Sequence, residues 1–131
     1  MEDKVVKKKN IGKSNRQRGH SLERRIASKF RDLGYKYAKT SRQASRLLDD
    51  SKVDIAFVPF LIQCKKGYKK GLNYSGIITE IKNLIIQNFP PEESVHKLPC
   101  IIIHDKDRKT EDKLVIMEEV TFWELIKDKN I

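Results

Sequence analysis

Apolar residues in the first third of the chain recur with a helical period. Leu22, Ile26, Phe30 and Leu33 follow one another at spacings of four, four and three residues. Such spacing aligns them along one side of a helix. The pattern predicts a helix that begins near Asn15 and ends at about Leu33, with its apolar stripe packed against a sheet.

The later apolar runs are shorter, and most of them have the length and composition of strands. They predict, in chain order, strands over Tyr35–Thr40 and on both sides of a turn near Pro59-Phe60, a helix from Ser75 to about Asn88, strands over Pro99–His104 and Lys113–Met117, and a helix over Phe122–Lys127. Residues 41–52 show no clear period and are expected to form a loop. This order predicts an α/β fold, a central mixed β-sheet flanked by helices. The first three strands are expected to meander antiparallel, and the helix after them allows a crossover to the fourth.

Three polar residues interrupt the apolar run of the predicted hairpin. Asp54 lies in its first strand, and Gln63 and Lys65 share one face of its second strand because strand side chains alternate. Pairing across a two-residue turn places Asp54 opposite Lys65. The cluster is either a site built from a carboxylate, an amide and an ammonium group, or a solvent-facing ion pair worth about 1 kcal/mol or less. The hairpin alone favours neither interpretation.

The chain as a whole is strongly basic. It has 131 residues, with 28 Lys or Arg against 18 Asp or Glu, for a net charge of +10. The length suits one domain with one core, which we expect over residues 15–131 after a flexible basic arm over residues 1–14. The charge favours a polyanionic partner, nucleic acid ahead of an anionic membrane surface. No apolar run approaches the roughly 18 residues of a membrane span.

The cysteines and histidines have no zinc-site spacing. Cys64 and Cys100 each lie in an apolar, strand-like run, which is typical of buried, reduced thiols in a cytoplasmic protein. The three histidines are scattered along the chain, without the spacing of a zinc site. We therefore expect a cytoplasmic protein without structural zinc.

Basic side chains concentrate in the first helix, in the predicted loop and after the hairpin. Segment 65–74 combines Lys with Gly and Tyr, which offers charge, close backbone approach and stacking faces to a nucleic acid. A solvated surface is the alternative explanation. The residues expected to contact DNA are Arg18, Arg24, Arg42, Arg46, Lys66, Lys69 and Lys70.

Several short motifs follow one another along residues 16–75. They are Arg18-Gly19-His20-Ser21-Leu22-Glu23-Arg24, Gly34-Tyr35, Ser41-Arg42, Val53-Asp54-Ile55 and Gln63-Cys64-Lys65. In their order and spacing the chain resembles the PD-(D/E)XK nuclease superfamily and, more narrowly, the archaeal-type Holliday junction resolvases. The resemblance covers a little over half of the chain. It implies a restriction-endonuclease-like core and metal-dependent hydrolysis of DNA phosphodiesters.

The resemblance also implies a role for each residue of the cluster. Asp54 would be the central ligand of Mg²⁺, which Mn²⁺ can replace, and the Gln63 side-chain oxygen and the Cys64 carbonyl would be further ligands. Glu23 would complete the metal site from the helix. Lys65 would orient the attacking water or stabilise the developing negative charge. Oxygen ligands suit this reaction because they hold a hard cation, which neutralises phosphate charge and activates a bound water.

Two positions depart from the pattern of the resolvases. Gln63 stands where those enzymes usually have Glu, which lowers the negative charge of the site by one unit. Val53 stands where they have Pro. The loop serine that has a catalytic role in the resolvases corresponds to either Ser41 or Ser45.

These observations predict a homodimeric, structure-selective DNA endonuclease, a resolvase of four-way (Holliday) junctions that acts in DNA recombination and repair. Two active sites on a dyad suit the two symmetric scissile strands of a junction. Two alternatives stay open: another nuclease of the superfamily, restriction-like or repair-like, and a DNA-binding protein that has lost its catalytic site. The apolar helix predicted over residues 75–88 is a candidate dimer contact. No membrane partner is expected.

Overall fold

The structure is a computed structural model that describes residues 2–68, 70–107 and 109–128, with side chains from residue 16 onward. The helices in these residues are α1 Glu2–Asp32, α2 Ser41–Ala44, α3 Arg46–Asp50, α4 Tyr74–Asn88 and α5 Glu119–Asp128. The strands are β1 Lys39–Thr40, β2 Ile55–Ala56, β3 Leu61–Lys66, β4 Cys100–Asp105 and β5 Lys113–Ile116. Short 3₁₀ helices cover Ser94–Lys97 and Thr110–Asp112.

The strands of the described residues form two small sheets. β1 pairs antiparallel with β2. In the second sheet β4 is central, parallel to β3 and antiparallel to β5. The parallel pairing of β3 and β4, which α4 connects, confirms the predicted crossover. The predicted mixed α/β class is confirmed as well, with sheets smaller than expected.

Helices cover both faces of the three-stranded sheet. On one face α1 packs against the strands, in a cluster that includes Leu22, Ile26, Ala27, Ile62 and Ile101. On the other face α4 packs against the strands, in a cluster that includes Leu61, Ile78, Ile81, Ile85 and Ile102. Each fully buried aliphatic side chain contributes about 1.5–3 kcal/mol to stability. Because the side chains of β3 alternate between these two cores, the polar residues of β3 are held in a fixed orientation.

The predicted hairpin between the second and third strands is wrong, because β2 and β3 lie in different sheets, whereas the antiparallel pairing of the first two strands of the meander is confirmed. β2 ends at Ala56 because Phe57 adopts a positive φ of 65°, which turns the chain out of the strand. Pro59 has no N–H to donate to a ladder. The two segments are nevertheless adjacent, since the Asp54 N–H donates to the Ile62 carbonyl at 2.7 Å. β2 therefore pairs with β1, and Asp54 lies beside β3 without a regular hairpin.

Two further predictions in the first half of the chain are corrected. α1 begins at Glu2 and not near Asn15, as lysine-rich sequence favours helix even without an apolar stripe. The flexibility of the basic arm and the domain boundary after residue 14 stay predictions. Residues 41–52 contain α2 and α3 where a loop is predicted. Ser45 stabilises the start of α3, where its Oγ accepts a hydrogen bond from the Leu48 N–H at 3.3 Å.

The second half of the chain follows the prediction closely. β4 and β5 lie within one residue of the predicted strands. α4 begins at Tyr74 with Asn73 as its N-cap, whose Oδ1 accepts from the Gly76 N–H at 3.0 Å, so Ser75 is not the cap. α5 begins three residues before Phe122. In the described part of the chain, no helix has the length and apolar character to cross a membrane.

Candidate active site

Asp54 is held against the free edge of β3 by both its backbone and its carboxylate. Its Oδ2 accepts a hydrogen bond from the Gln63 Nε2 at 2.7 Å and another from the Cys64 N–H at 2.7 Å. Gln63 is buried, and Cys64 is half-buried. The structure thus brings Asp54 and Gln63 together as predicted, although by side-chain bonding rather than by a hairpin ladder.

The environment of Asp54 makes its carboxyl group titrate near neutral pH. Burial raises the pKa of Asp54 from 3.8 to about 7, and the hydrogen bond from the Cys64 N–H opposes this effect. The negative charge of Glu23 raises the pKa further, whereas the ammonium group of Lys65 lowers it. Predicted site residues from α1 and β3 therefore interact electrostatically with Asp54. A carboxyl group with such a shift is a candidate for function.

Glu23 is oriented by an arginine from the segment predicted to be a loop. The Nε and Nη2 atoms of Arg42 donate to the Glu23 Oε2 at 3.1 and 3.0 Å. The Glu23 side chain is 14% exposed, so this forked pair fixes a largely desolvated carboxylate. Because both bonds end on Oε2, Arg42 leaves the other carboxylate oxygen for a different partner. Arg42, predicted as a DNA contact, thus also positions Glu23.

The two candidate serines have different environments. The Ser45 hydroxyl caps α3, which gives it a structural role. Ser41 is fully buried, and its N–H donates to the Asp54 carbonyl at 2.8 Å. Its Oγ has no hydrogen-bond partner, which is a rare and costly state for a buried hydroxyl. Ser41 is therefore the serine adjacent to the candidate site.

Lys65 lies on β3 two residues after Gln63, on the same face of the strand. Its side chain is half-buried. Since its charge lowers the pKa of Asp54, the ammonium group lies within electrostatic range of that carboxylate. The predicted grouping of Asp54, Gln63 and Lys65 is thus present.

The basic residues predicted to contact DNA are spread over different parts of the surface. Arg24 donates to the Ser21 Oγ at 3.2 Å on α1. Arg46 is 93% exposed on α3 and lies 3.7 Å from Asp50. Lys70 is exposed, and Lys69 lies outside the described residues. Their predicted contact with DNA stays a prediction.

Arg18 and Lys66 line a separate cavity together with two residues that sequence reasoning missed. These are Arg25 on α1 and Asp105 at the end of β4. One signal for Asp105 was present in the sequence, because it directly follows the predicted buried strand Pro99–His104. Ligands of α/β proteins commonly bind beyond the carboxyl ends of such strands.

The donors around Asp54 fit a hard divalent cation. Among the described residues no group of three His, Cys, Asp or Glu side chains is placed to hold a metal ion, and the candidate set here combines two carboxylates with an amide and a carbonyl. The Cys64 N–H points to Asp54, and the carbonyl of a strand residue faces the same edge as its N–H. A cation would offset the repulsion that Glu23 exerts on ionised Asp54. Gln63 donates through Nε2 to Asp54, so its amide must rotate to offer oxygen.

Neither thiol supplies a thiolate ligand to this set. Burial raises the pKa of Cys64 far above its ordinary value and the pKa of Cys100 to about 11, so both stay protonated at neutral pH. Both cysteines are free of disulfides. Cys64 therefore contributes to the candidate site through its backbone alone.

Comparisons of the chain with protein-family models, with curated proteins and with solved structures found no match.

Proposed function

We propose that the chain is a metal-dependent DNA endonuclease that resolves four-way junctions and has a restriction-endonuclease-like core around β3 and β4. The environment of Asp54 carries the proposal. Its half-buried carboxyl group has a pKa raised to about 7, accepts hydrogen bonds from Gln63 and Cys64, and interacts with the charges of Glu23 and Lys65. Charged and polar groups are costly to bury, and this combination matches the residue types of the nuclease motifs that the sequence resembles.

The proposed site holds Mg²⁺, or Mn²⁺ in its place. The ligands would be the carboxylates of Asp54 and Glu23, the side-chain oxygen of Gln63 and the carbonyl of Cys64. When bound, the cation neutralises phosphate charge and lowers the pKa of a bound water. Since the pKa of Asp54 is about 7 without a cation, this residue releases its proton as it becomes a ligand.

The remaining side chains position the reaction. Arg42 holds Glu23 through one carboxylate oxygen, which leaves the other oxygen available as a ligand and lowers the side-chain entropy that Glu23 would lose on binding a cation. Lys65 supplies a positive charge next to Asp54, where it stabilises the negative charge that develops on the phosphate. The scattered basic residues then bind the phosphate backbone without reading its sequence.

A homodimer is part of the proposal, and α5 is its best contact surface. The large apolar side chains Phe122, Trp123 and Ile126 are 44%, 57% and 38% exposed, whereas α4 buries Ile78 and Ile81 against the sheet. Exposed apolar patches of this kind mark protein contacts. The acidic residues Glu118, Glu119 and Glu124 around the patch disfavour DNA there, so a second copy of the chain is the proposed occupant. Sedimentation equilibrium tests this, and a monomer at micromolar concentration would contradict it.

The test is cleavage of a synthetic four-way junction beside a linear duplex and a fork, with and without Mg²⁺. Wild type should make paired nicks at the junction only with the metal. Asp54→Asn should bind the junction without cutting it, since the change removes metal-binding charge and leaves the basic surface intact. Lys65→Ala should also lose cleavage. Lys29→Ala is the matched control, because Lys29 is exposed on α1 and belongs neither to the candidate site nor to the expected DNA contacts.

Other outcomes favour the alternatives. Cleavage of every substrate would indicate a restriction-like or repair-like nuclease of the same superfamily. Tight junction binding without cleavage in Mg²⁺ or Mn²⁺ would indicate a DNA-binding protein that has lost its catalytic site at Gln63. Unchanged cleavage by Asp54→Asn would remove Asp54 from the mechanism.

A further inference from the structure

A cavity of about 380 Å³, separate from the candidate active site, lies between α1 and the carboxyl ends of β3 and β4. Four basic side chains line it, Arg18, Arg25, Lys66 and Lys106, against the two acidic side chains Asp105 and Asp107. The lining therefore has an excess of positive charge. The volume falls within the range of small-ligand sites, about 300–1,000 Å³.

A buried carboxylate fixes two of these cations. The Asp105 side chain is 4% exposed, and its Oδ2 lies 3.0 Å from the Lys66 Nζ and 3.5 Å from the Arg25 Nη2. One negative charge thus faces two positive charges, so a net positive charge remains at the cavity wall. The pairing also restricts two long side chains, which lowers the entropic cost of binding an anion between them.

The wall beside Lys66 is rigid and lacks a side chain. The Gly67 N–H donates to the Asp105 carbonyl at 2.8 Å, and the Gly67 carbonyl accepts a bond of 2.8 Å from the Nε2 of buried His104. Because a carbonyl only accepts, the ring proton lies on Nε2, and the His104 Nδ1 accepts from the Tyr74 hydroxyl at 2.7 Å. Gly67 has a φ of +89°, and a Cβ there would meet no atom within 4 Å. The backbone is therefore fixed, with open space beside it for a ligand.

This cavity and the candidate active site share the helix α1. Arg25 follows Glu23 by two residues, and residues two apart in a helix point to different sides. On β3, Lys66 faces the side of the sheet opposite to Lys65 because successive side chains alternate. Arg25 and Lys66 therefore face away from Glu23 and Lys65, so a DNA strand that contacts both places has to wrap around α1.

We propose that the cavity binds a phosphate group and that Arg25 and Lys66 hold it together. This inference rests on the proposed function where it assigns that phosphate to a DNA strand running past the active site. A single phosphate between two cations that share one carboxylate restores charge balance at the wall. Guanidinium and ammonium groups in this arrangement suit phosphate oxygens.

The salt dependence of DNA binding tests the assignment to DNA. Junction binding is measured in EDTA at several KCl concentrations for wild type, Arg25→Gln, Lys66→Gln and the double variant. Each neutralised phosphate contributes about 0.9 to the slope of log K against log salt, so the double variant should lose about 0.9. A loss near twice that value, about 1.8, would contradict a single shared phosphate. Lys29→Gln, an exposed residue of α1 outside the cavity lining, is the control and should leave the slope unchanged.

A titration with inorganic phosphate tests the cavity without DNA. The amide resonances of Gly67 and Asp107 should shift in a saturable manner in wild type and in Lys29→Gln, and the shift should vanish in the double variant. Circular dichroism verifies that the variants are folded. No saturable shift together with an unchanged DNA slope would overturn the proposal. A phosphate shift with an unchanged slope would support the cavity and assign it to a free phosphate compound, which overturns the assignment to DNA.

Failure of this inference is distinguishable from failure of the proposed function. Wild type that binds phosphate in the cavity but cuts no DNA in Mg²⁺ would contradict only the nuclease. If wild type cuts junctions, but the double variant keeps the wild-type salt slope and phosphate shifts no amide resonance, only the proposal for the cavity is contradicted.

Discussion

The substitution Asp54→Asn should stabilise the protein at neutral and alkaline pH. Asp54 has a pKa of about 7 in the folded state, compared with the ordinary value of 3.8. Between these values the folded state binds more protons than the unfolded state, so stability falls as pH rises. The loss is complete above about pH 7. Asn carries no charge and therefore avoids this loss of stability. Its single side-chain oxygen can still accept the hydrogen bonds from Gln63 and Cys64, because both end on the Oδ2 of Asp54 in wild type.

The size of the effect follows from the shift. An interval from 3.8 to about 7 at about 1.4 kcal/mol per pKa unit gives a ceiling of about 4 kcal/mol. The free energy of unfolding of Asp54→Asn should therefore equal that of wild type near pH 4 and exceed it by up to about 4 kcal/mol at pH 8.

Urea unfolding followed by circular dichroism in EDTA, at each pH unit from 4 to 8, measures this difference. Asp50→Asn is the matched control, since Asp50 is 56% exposed and pairs with Arg46 on the surface. Such a change should stay within about 0.5 kcal/mol of wild type. If Asp54→Asn is less stable than wild type at pH 8, the reasoning is refuted, because the ionised carboxylate would then be stabilised by its donors.

Two further predictions concern the same site. The affinity for Mn²⁺, measured by calorimetry, should fall about tenfold per pH unit below the pKa of Asp54, since the cation must displace one proton; an affinity that is constant from pH 5.5 to 7 would contradict a protonated Asp54. Ser41→Ala should leave the free energy of unfolding unchanged or raise it by about 1 kcal/mol, because it removes a buried hydroxyl without a partner. Ser45→Ala should lower the free energy of unfolding by about 1 kcal/mol, because it removes the N-cap of α3. Equal losses of stability in urea titrations of these two variants would refute the distinction between the serines.

The sequence predicted the elements whose pattern is local. The apolar stripe of Leu22 and Ile26 reflects burial against the sheet, and both residues are in the core. The strand that begins at Cys100 is also confirmed, because a continuous aliphatic run has few alternatives to a buried strand.

Pairing between segments was not predictable in the same way. The positive φ of Phe57 is uncommon for a bulky residue, and no spacing rule signals it. The antiparallel pairing of β1 with β2 was predicted, but the separation of β2 from β3 into two sheets was not. The clustering of Asp54 with Gln63 was nevertheless predicted correctly, because the two segments are adjacent and the side chains of β3 alternate even though no ladder forms between β2 and β3. The role of Arg42 depends on a contact nineteen residues away in the chain, which a single sequence does not encode in any local pattern.

Gln63 has a different meaning in the structure than in the sequence. In the sequence, Gln63 lowers the negative charge of the proposed metal site by one unit, which is the main argument for a lost catalytic activity. In the fold, a glutamate at position 63 would bring a second carboxylate next to the Oδ2 of the half-buried Asp54, whose pKa desolvation already raises to about 7. Like charge would raise that pKa further, so Asp54 would be protonated in a larger fraction of the molecules at neutral pH and less available to the proposed cation. The Gln63 amide instead donates to the ionised carboxylate, and its rotation offers an oxygen to a metal. Under the proposed function, Gln63 therefore predicts weaker attraction for the cation together with easier ionisation of Asp54, rather than complete loss of metal binding.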